Sequence, residues 1–285
     1  SLVSTLGAGE IKLTIKEGSI VHSVEKVCAT LAPLAAQKGL GFYLDIDPDI
    51  APGLYFDALH LELILYNLID NAIKFTASGS ISLNVELDGE YESSQHVFFS
   101  VKDTGVGIET SKLALLFSPT TNTETNPKQR TVRAGLGLSI CGNIAEAMDA
   151  DLSLDSQQSM GTETKLTVAM NRSLTMFEDP LDLKGIEFNL CCMDQHINKT
   201  IHNYLVSWGA TVNIFDLADL LPKLSQFEND AICILNHSVW SINLVKTTLS
   251  ERNYSLINLI TEPDISYFQT HDNYIELPTN PLFKS

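Results

Sequence analysis

Apolar and polar residues alternate in several short stretches of the first 170 or so residues, and stretches with helical spacing separate them. Alternation at 11–15 predicts a half-buried strand. Apolar residues then recur every three or four positions over 21–31, which predicts a helix that Ser19 caps and Gly39 ends. The same two patterns predict further strands and helices at 42–46, 57–75, 81–87, 97–101, from about 135, 152–154 and 162–168. Helices packed on one face of a largely antiparallel sheet, an α+β two-layer sandwich, are the architecture that this order favours.

The second part of the chain has a different pattern. Periodicity fails around 171–185, where Asp, Pro and Gly residues favour turns, so we predict a linker at 173–184. Beyond it, short apolar strands alternate with helical stretches, which is typical of a parallel, doubly wound α/β sheet. The predicted strands are 186–192, 211–215, 231–235, 256–260 and 274–277. We therefore expect a short segment at 1–10, a first domain at 11–172 and a second domain at 185–285.

Composition and charge narrow the range of partners. The formal charge of −17 repels a phosphodiester backbone, so we expect no nucleic acid partner. The five cysteines form no pair of CxxC spacings that could hold zinc, which favours a reduced, cytoplasmic chain. No apolar run approaches the roughly 20 residues that span a bilayer, and the sequence has no signal-like start. We expect a monomeric, soluble piece of a longer protein.

Asn67 and Asn71 lie four residues apart, on one face of a predicted helix that is otherwise almost wholly apolar. A side-chain amide oxygen is a suitable neutral ligand for Mg²⁺, which normally keeps water and phosphate oxygens as its other ligands. For an isolated pair with this spacing, two surface asparagines or two hydrogen-bonded core asparagines are the alternative interpretation.

Asp103 ends a predicted strand and begins the sequence DTGVGI, in which Gly105 and Gly107 let the backbone approach a ligand. A carboxylate there can accept a hydrogen bond from the exocyclic amine of adenine, whereas guanine offers an oxygen at that position. Thr162 begins the last strand of the domain, where its hydroxyl could assist Asp103 through water. The alternative for an isolated DxGxG sequence is an ordinary turn.

Gly135, Leu136 and Gly137 open another predicted helix. The free N–H groups and the positive dipole end of a helix N-terminus favour phosphate. A plain glycine-rich loop is the alternative.

The polar stretch 118–134 separates the two glycine motifs and holds the densest basic cluster of the chain, at Lys128, Arg130 and Arg133. A lid over a triphosphate has this composition, and so does an ordinary disordered loop.

In this order, the motifs resemble the N, G1, F, G2 and G3 boxes of histidine kinase catalytic domains of the GHKL superfamily. The matching sequences are NLIDNAIKFT, DTGVGI, LFSP, GLGLSI and GTET, and the resemblance covers about residues 10–170. It implies a Bergerat ATP-binding fold, a protein-histidine kinase, and ATP and Mg²⁺ as cofactors. The resemblance implies that Asn71 is a Mg²⁺ ligand, that Asn67 and Lys74 lie near the phosphates, and that Asp103 binds adenine. It also implies that four glycines shape the site: Gly105, Gly107, Gly135 and Gly137. Arg130, Leu136 and Thr162 are implied as further ATP contacts.

Two residues depart from the family pattern. Arg133 stands where a further glycine is usual, and Thr120 stands where the F box has its second aromatic residue. Residues 4–10 resemble the end of the family's second dimerisation helix, but no counterpart of the helix with the phosphoacceptor histidine is present. The resemblance therefore implies that the chain does not autophosphorylate alone. It implies a partner, the histidine-bearing dimerisation domain of a homodimeric parent kinase anchored in the inner membrane.

A second enzyme class shares the superfamily. ATPases that resemble gyrase B or MutL place a Glu at the position of Asn67, as general base on water. An amide cannot take a proton from water. Asn67 therefore favours transfer of a phosphoryl group to a protein nucleophile over hydrolysis of ATP.

The start of the second domain resembles the opening strand and helix of response-regulator receiver domains, which implies a flavodoxin-like fold. Receivers need a pair of acids, an acceptor Asp and a Lys before a Pro; these positions hold Met193 with Asp194, Asn236 and Leu277. One carboxylate is too little charge to organise phosphoryl transfer, and an amide is a poor nucleophile. We interpret 185–285 as a pseudo-receiver that docks a receiver domain or response regulator protein. The alternative is that the whole chain is a non-catalytic interaction module, with ATP as a structural ligand only.

Overall fold

The computed structural model describes residues 11–109, 133–174, 182–224, 231–236, 254–260, 270–271 and 274–278. The chain divides into two compact units, one formed mainly by residues up to 178 and the other mainly by residues 179–282. Each unit is described by itself. Residues 118–132 of the predicted lid at 118–134, with Thr120, Lys128 and Arg130, lie outside the described residues, as do segment 1–10 and most of the predicted linker. The last two residues of that stretch begin a helix, Arg133–Ala147.

The first unit is built on a mixed, mainly antiparallel sheet. Its strands are β1 (Lys16–Gly18), β2 (Gly41–Ile46), β3 (Leu54–Phe56), β4 (Ser80–Glu90), β5 (Ser94–Asp103), β6 (Asp151–Gln157) and β7 (Gly161–Arg172). They lie in the order β1-β3-β7-β5-β4-β2, and β6 also pairs with β7. Only β2 and β4 run parallel among these pairs.

Among the described residues, helices α1 (Ile20–Gln37), α2 (Ala58–Phe75) and α3 (Arg133–Ala147) cover this sheet. Helix α2 packs against α1, α3 and strands β4 and β5. Its buried side chains are Leu61, Ile64, Leu65, Leu68, Ile69, Ala72 and Ile73, which recur at helical spacing. Side chains alternate between buried and half-buried along β2 and the first half of β4, as the period of a strand requires. The predicted α+β two-layer sandwich is confirmed.

Local capping signals in the sequence mark where these helices begin and end. Ser19 caps α1 by accepting a hydrogen bond from the backbone N–H of His22, as predicted. Gly39 follows the end of α1 with a φ of +71°, a conformation that glycine adopts without strain. Asp57 caps α2 by accepting from the N–H of His60 at 3.0 Å.

The predicted strand at 11–15 is wrong. These residues form no regular element, and strand β1 begins only at Lys16. The backbone N–H of Thr14 donates to the carboxylate of Asp57 instead of a neighbouring strand, and Ile15 is 54% exposed. The alternation does not correspond to a strand here, because the apolar side chains do not share one buried face. Strand β3 was not predicted, and α3 starts at Arg133, slightly before the predicted position.

The second unit contains a second sheet, of largely parallel strands. Its strands are β8 (Glu187–Cys192), β9 (Thr211–Ile214), β10 (Ala231–Asn236), β11 (Tyr254–Ile260), β12 (Thr270–His271) and β13 (Tyr274–Pro278), and its helices are α4 (Gln195–Ser207) and α5 (Leu217–Leu224). The order is β12-β13-β11-β10-β8-β9, and only the short β12 is antiparallel to its neighbour. The five parallel strands thus have the order 2-1-3-4-5 of flavodoxin-like folds.

The two helices cover opposite faces of this sheet. Leu220 and Leu224 of α5 pack in one buried cluster with Cys191 and Leu235, whereas α4 packs in a second cluster that contains Leu190. Residues 190 and 191 of a strand point to opposite faces. The doubly wound α/β prediction for this unit is confirmed.

Candidate functional site

A cavity of about 410 Å³ lies in the first unit, between α2, the sheet and the loop that follows β5. Its size is within the usual range of small-molecule sites. Apolar side chains form much of its lining, with a few polar groups among them. The lining includes Leu68, Asn71, Ala72, Val101, Asp103, Leu138, Leu154 and Thr162.

Asp103 is the buried acid of this cavity. Only 7% of the residue is exposed, and its Oδ1 accepts the backbone N–H of Gly105 at 2.7 Å. Burial raises the pKa of Asp103, and hydrogen bonding from the backbone of Gly105 and Thr162 opposes the rise. The nearby hydroxyl of Thr76, whose buried oxygen has no regular hydrogen-bond partner among the described residues, opposes it as well. The second oxygen of a carboxylate at this place can accept a hydrogen bond from a ligand.

The glycines of the loop are required for close approach. A Cβ atom on Gly107 would lie 2.0 Å from the carbonyl oxygen of Gln157, and this glycine has a φ of +64°. A Cβ atom on Gly105 would lie 2.5 Å from the carbonyl oxygen of Phe75. These contacts place the loop directly against α2 on one side and β6 on the other.

Sequence reasoning missed Ser156, which holds the same loop. Its hydroxyl accepts the N–H of Ile108 at 2.8 Å and lies 2.9 Å from the hydroxyl oxygen of Thr162. It missed Thr76 as well, whose hydroxyl acts on Asp103. No local pattern reveals either residue, since each acts across strands or elements that are distant in sequence.

The two asparagines of α2 lie beside the start of α3. A Cβ atom on Gly137 would lie 3.4 Å from Oδ1 of Asn67 and 3.8 Å from Nδ2 of Asn71. Asn71 lines the cavity, whereas Asn67 donates its Nδ2 to the carbonyl oxygen of Leu63 at 2.8 Å. The folded chain therefore brings together the two polar helix positions and the glycine motif that the sequence placed about 70 residues apart.

The first unit is similar to proteins of known families. Residues 56–172 match the family model of the histidine kinase-, DNA gyrase B- and HSP90-like ATPases. This part of the chain is similar to domains of that ATPase family. The buried acid, the glycine loop and the paired asparagines described above all belong to the matched residues.

Two kinds of relative extend the comparison. Sensor histidine kinase RcsC of Escherichia coli is 35% identical over 167 residues, which are 59% of this chain and 17% of RcsC. Autoinducer 2 sensor kinase/phosphatase LuxQ of Vibrio harveyi is 33% identical over 137 residues, 48% of this chain and 16% of LuxQ. The chain thus spans less than a fifth of the length of these relatives. The crystal structure of full-length ShkA in complex with AMPPNP is similar in fold, with a TM-score of 0.65 and 22% identity, over 90% of this chain and 52% of that chain.

The remaining predicted nucleotide contacts of the first unit lie on α2 and at the start of α3. Lys74 is exposed and pairs with Asp70, one turn earlier on α2. Gly135 and Leu136 lie in the first turn of α3, where backbone N–H groups have no partner within the helix. Gly137 lies just after this turn.

The second unit carries the positions that correspond to the receiver site. Asn236 ends β10, is only 7% exposed, and donates its Nδ2 to the carbonyl oxygen of Leu259 at 2.7 Å. Met193 is 71% exposed, and its N–H donates to the carbonyl oxygen of Asn236 at 3.1 Å. Asp194 caps α4 by accepting the N–H of His196 at 2.8 Å, and Leu277 pairs with Leu259 on the next strand.

The described part of the chain contains no group of three His, Cys, Asp or Glu side chains that could hold a metal ion by itself. All five cysteines are buried and free of disulfides. Burial raises the pKa of Cys28 and Cys141 to about 12, so these thiols stay protonated. No helix among the described residues has both the length and the apolar character of a membrane-spanning segment.

Proposed function

We propose that this chain is the ATP-binding catalytic part of a hybrid sensor histidine kinase. In this proposal it positions Mg-ATP for transfer of the γ-phosphoryl group to a histidine on a dimerisation domain of the parent protein. The observation that carries the proposal is the largely apolar cavity with the buried Asp103 in its wall and Asn71 on the helix beside the glycine motif. One cavity thereby offers a site for a base and a place for phosphates.

The base end of the cavity favours adenine. An adenine ring fits between apolar walls such as Leu68, Val101 and Leu138, and its exocyclic amine can donate to the carboxylate of Asp103. Guanine has a carbonyl oxygen at that position, which would face the carboxylate with no proton between them. Since Asp103 is desolvated, such a mismatch is costly, on the order of 1–3 kcal/mol.

The residues at the other end fit a magnesium triphosphate. Asn71 would hold Mg²⁺ through its neutral amide oxygen, and phosphate oxygens and water would complete the coordination. The described residues offer no carboxylate cluster for a free metal ion, which favours a metal that arrives with the nucleotide. When bound, Mg²⁺ neutralises charge on the transferring phosphoryl group. Asn67, Lys74 and the N-terminus of α3 would orient the phosphates.

The chemistry of Asn67 favours a kinase over a hydrolase. Its Nδ2 is engaged by the carbonyl oxygen of Leu63, so only its Oδ1 is directed towards Gly137. An amide oxygen is not a general base, and no proton can be taken from an attacking water there. The nucleophile is then supplied by another protein group, which in this proposal is the histidine of the dimerisation domain.

The relatives support the same assignment. Those reported above are named sensor kinases, and ShkA was solved with the nucleotide analogue AMPPNP. By analogy, the parent would be a homodimeric, membrane-anchored sensor whose kinase part works in the cytoplasm. We propose 11–172 as the catalytic domain, 173–184 as the linker and 185–285 as the receiver-like domain.

The second unit would serve as a docking domain without phosphoryl chemistry. Its acceptor position is an amide that is buried and hydrogen-bonded to Leu259, and Asp194 is engaged as a helix cap. Its partner would be a receiver domain or a response regulator protein.

The decisive experiment has two stages. The full chain is titrated with a fluorescent ATP analogue with and without Mg²⁺, and then incubated with labelled ATP and a separately supplied dimerisation helix pair. Binding followed by transfer to the histidine supports the kinase. Binding without transfer would favour the non-catalytic interaction module, and release of inorganic phosphate without the helix pair would favour an ATPase.

A further inference from the structure

Three polar side chains form a row across neighbouring strands of the ATPase domain. Thr162 of β7 lies directly opposite Asp103 of β5 on one side and opposite Ser156 of β6 on the other. Directly opposed residues of antiparallel strands point to the same face of the sheet. The row therefore faces the cavity side, and both Asp103 and Thr162 line the cavity.

The hydroxyl of Ser156 has three polar partners. It accepts the backbone N–H of Ile108 at 2.8 Å, donates to the carbonyl oxygen of Gly161 at 2.9 Å, and lies 2.9 Å from Oγ1 of Thr162. A serine hydroxyl has one proton and two lone pairs. The carbonyl oxygen of Gly161 can only accept and the N–H of Ile108 can only donate. The one assignment in which all three contacts are hydrogen bonds gives the Ser156 proton to Gly161, so Ser156 accepts the hydroxyl proton of Thr162.

This assignment fixes the polarity of Thr162. Its hydroxyl has a single proton, which is directed at Ser156, so its oxygen presents only lone pairs to the cavity. The exocyclic amine of adenine carries two protons, whereas guanine carries an oxygen at the same place. An acceptor-only Thr162 beside an acceptor Asp103 therefore suits direct contact with the adenine amine and disfavours guanine.

We propose that Ser156 is a positioning residue that sets the base preference of the site, because it holds the Thr162 hydroxyl as a hydrogen-bond acceptor towards the ligand. This inference rests on the proposed ATP-binding function. It assigns a role to a residue that need not touch the nucleotide and that acts through its neighbour on the next strand.

The test compares ATP and GTP in competition with a fluorescent ATP analogue on the full chain. In Ser156→Ala the Thr162 hydroxyl is free to rotate and donate to guanine, so the ATP-to-GTP affinity ratio should fall by roughly three- to tenfold, the value of one hydrogen bond. Ser153→Ala is the matched control, since Ser153 is exposed on the same strand. Ser156→Thr keeps the hydroxyl and should restore the ratio.

A double-mutant cycle isolates the coupling between the two hydroxyls. Thr162→Val removes the hydroxyl that Ser156 orients, so Ser156→Ala in that background should leave the ratio unchanged. A ratio unaffected by Ser156→Ala in the natural background, or equal losses of ATP and GTP affinity, would overturn the inference. Failure of the unaltered chain to bind ATP would instead overturn the proposed function itself, so the two failures are distinguishable.

Discussion

Gly105 donates its backbone N–H to Oδ1 of Asp103 at 2.7 Å, and a Cβ atom on the same glycine would lie 2.8 Å from that oxygen. One oxygen of the buried carboxylate is thus engaged by its own loop. The hydrogen bond orients the side chain. The backbone of Thr162 bonds the same carboxylate, which keeps acceptor capacity for a ligand because its two oxygens carry about four lone-pair sites. This arrangement makes Asp103 the group on which base recognition depends.

Asp103→Asn should weaken ATP binding and reduce the preference for ATP over GTP. The amide loses charge assistance and can turn its NH₂ group towards a guanine oxygen, so we expect roughly a 10- to 100-fold loss of the ATP-to-GTP ratio. Competition titrations on the full chain measure this ratio. Asp155→Asn is the control, since Asp155 is largely exposed and pairs with Lys165. Equal affinity of the natural chain for both nucleotides would remove the adenine assignment.

ATP affinity should fall at a less acidic pH than an ordinary aspartate would dictate. Burial raises the pKa of Asp103, so the carboxyl takes up a proton above its usual range of about 4. The protonated form loses acceptor capacity, whereas nucleotide binding favours the ionised form. Affinity is then complete above the raised pKa and is lost as the pH falls through it. Asp103→Asn should not show this loss of ATP affinity with falling pH, because an amide does not titrate. An identical pH profile in both proteins would contradict the prediction.

Asn71→Ala should reduce the dependence of nucleotide binding on Mg²⁺ more than it reduces binding itself. The adenine contacts remain, while the proposed amide ligand of the metal is removed. Titrating Mg²⁺ at fixed ATP analogue measures the effect, and Asn171→Ala, an exposed asparagine of β7, is the control. An unchanged Mg²⁺ response would place the metal on other groups.

Gly107→Ala and Gly39→Ala separate backbone strain from steric collision. Both glycines have positive φ, but only Gly107 faces a backbone atom, the carbonyl oxygen of Gln157, whereas nothing lies within 4 Å of a Cβ on Gly39. Gly39→Ala should lower the free energy of unfolding by about 1 kcal/mol. Gly107→Ala should lower it by more and should also weaken nucleotide binding. Hydrogen exchange reports the local opening free energy, in peptides of α1 and β2 for Gly39→Ala and in peptides of β6 and β7 for Gly107→Ala. Equal effects would mean that the loop is able to move away from β6.

The second unit should gain no phosphoryl group from acetyl phosphate and Mg²⁺. Asn236→Asp should not make the unit accept a phosphoryl group either, because the new carboxylate would be buried and would face the carbonyl oxygen of Leu259. Met193 and Leu277 also supply neither the second acid nor the cation of the reaction. Intact-mass analysis detects an adduct of about 80 Da, the mass of one phosphoryl group. Asn203→Asp on α4 is the control, and an adduct on the unaltered chain would refute the pseudo-receiver interpretation.

The sequence by itself determined most of the elements and the identity of the motifs. Helix α2 was predicted correctly because its apolar residues recur at helical spacing within a single stretch of the chain. The motif around Asp103 could be predicted as well, because the end of a strand and two glycines follow one another within a few residues. Alternation alone predicted a strand incorrectly at 11–15, where the backbone N–H of Thr14 donates to the carboxylate of Asp57 and not to a neighbouring strand.

Only the tertiary structure decided which of these residues meet. The opposition of Ser156, Thr162 and Asp103 depends on the register of three strands, and a shift of one residue would turn each side chain to the other face. The burial of Asn236 likewise depends on β10 lying between β8 and β11. Periodicity specifies the face of each element, but pairing between residues distant in sequence is set by packing of the whole sheet, and that pairing creates the site.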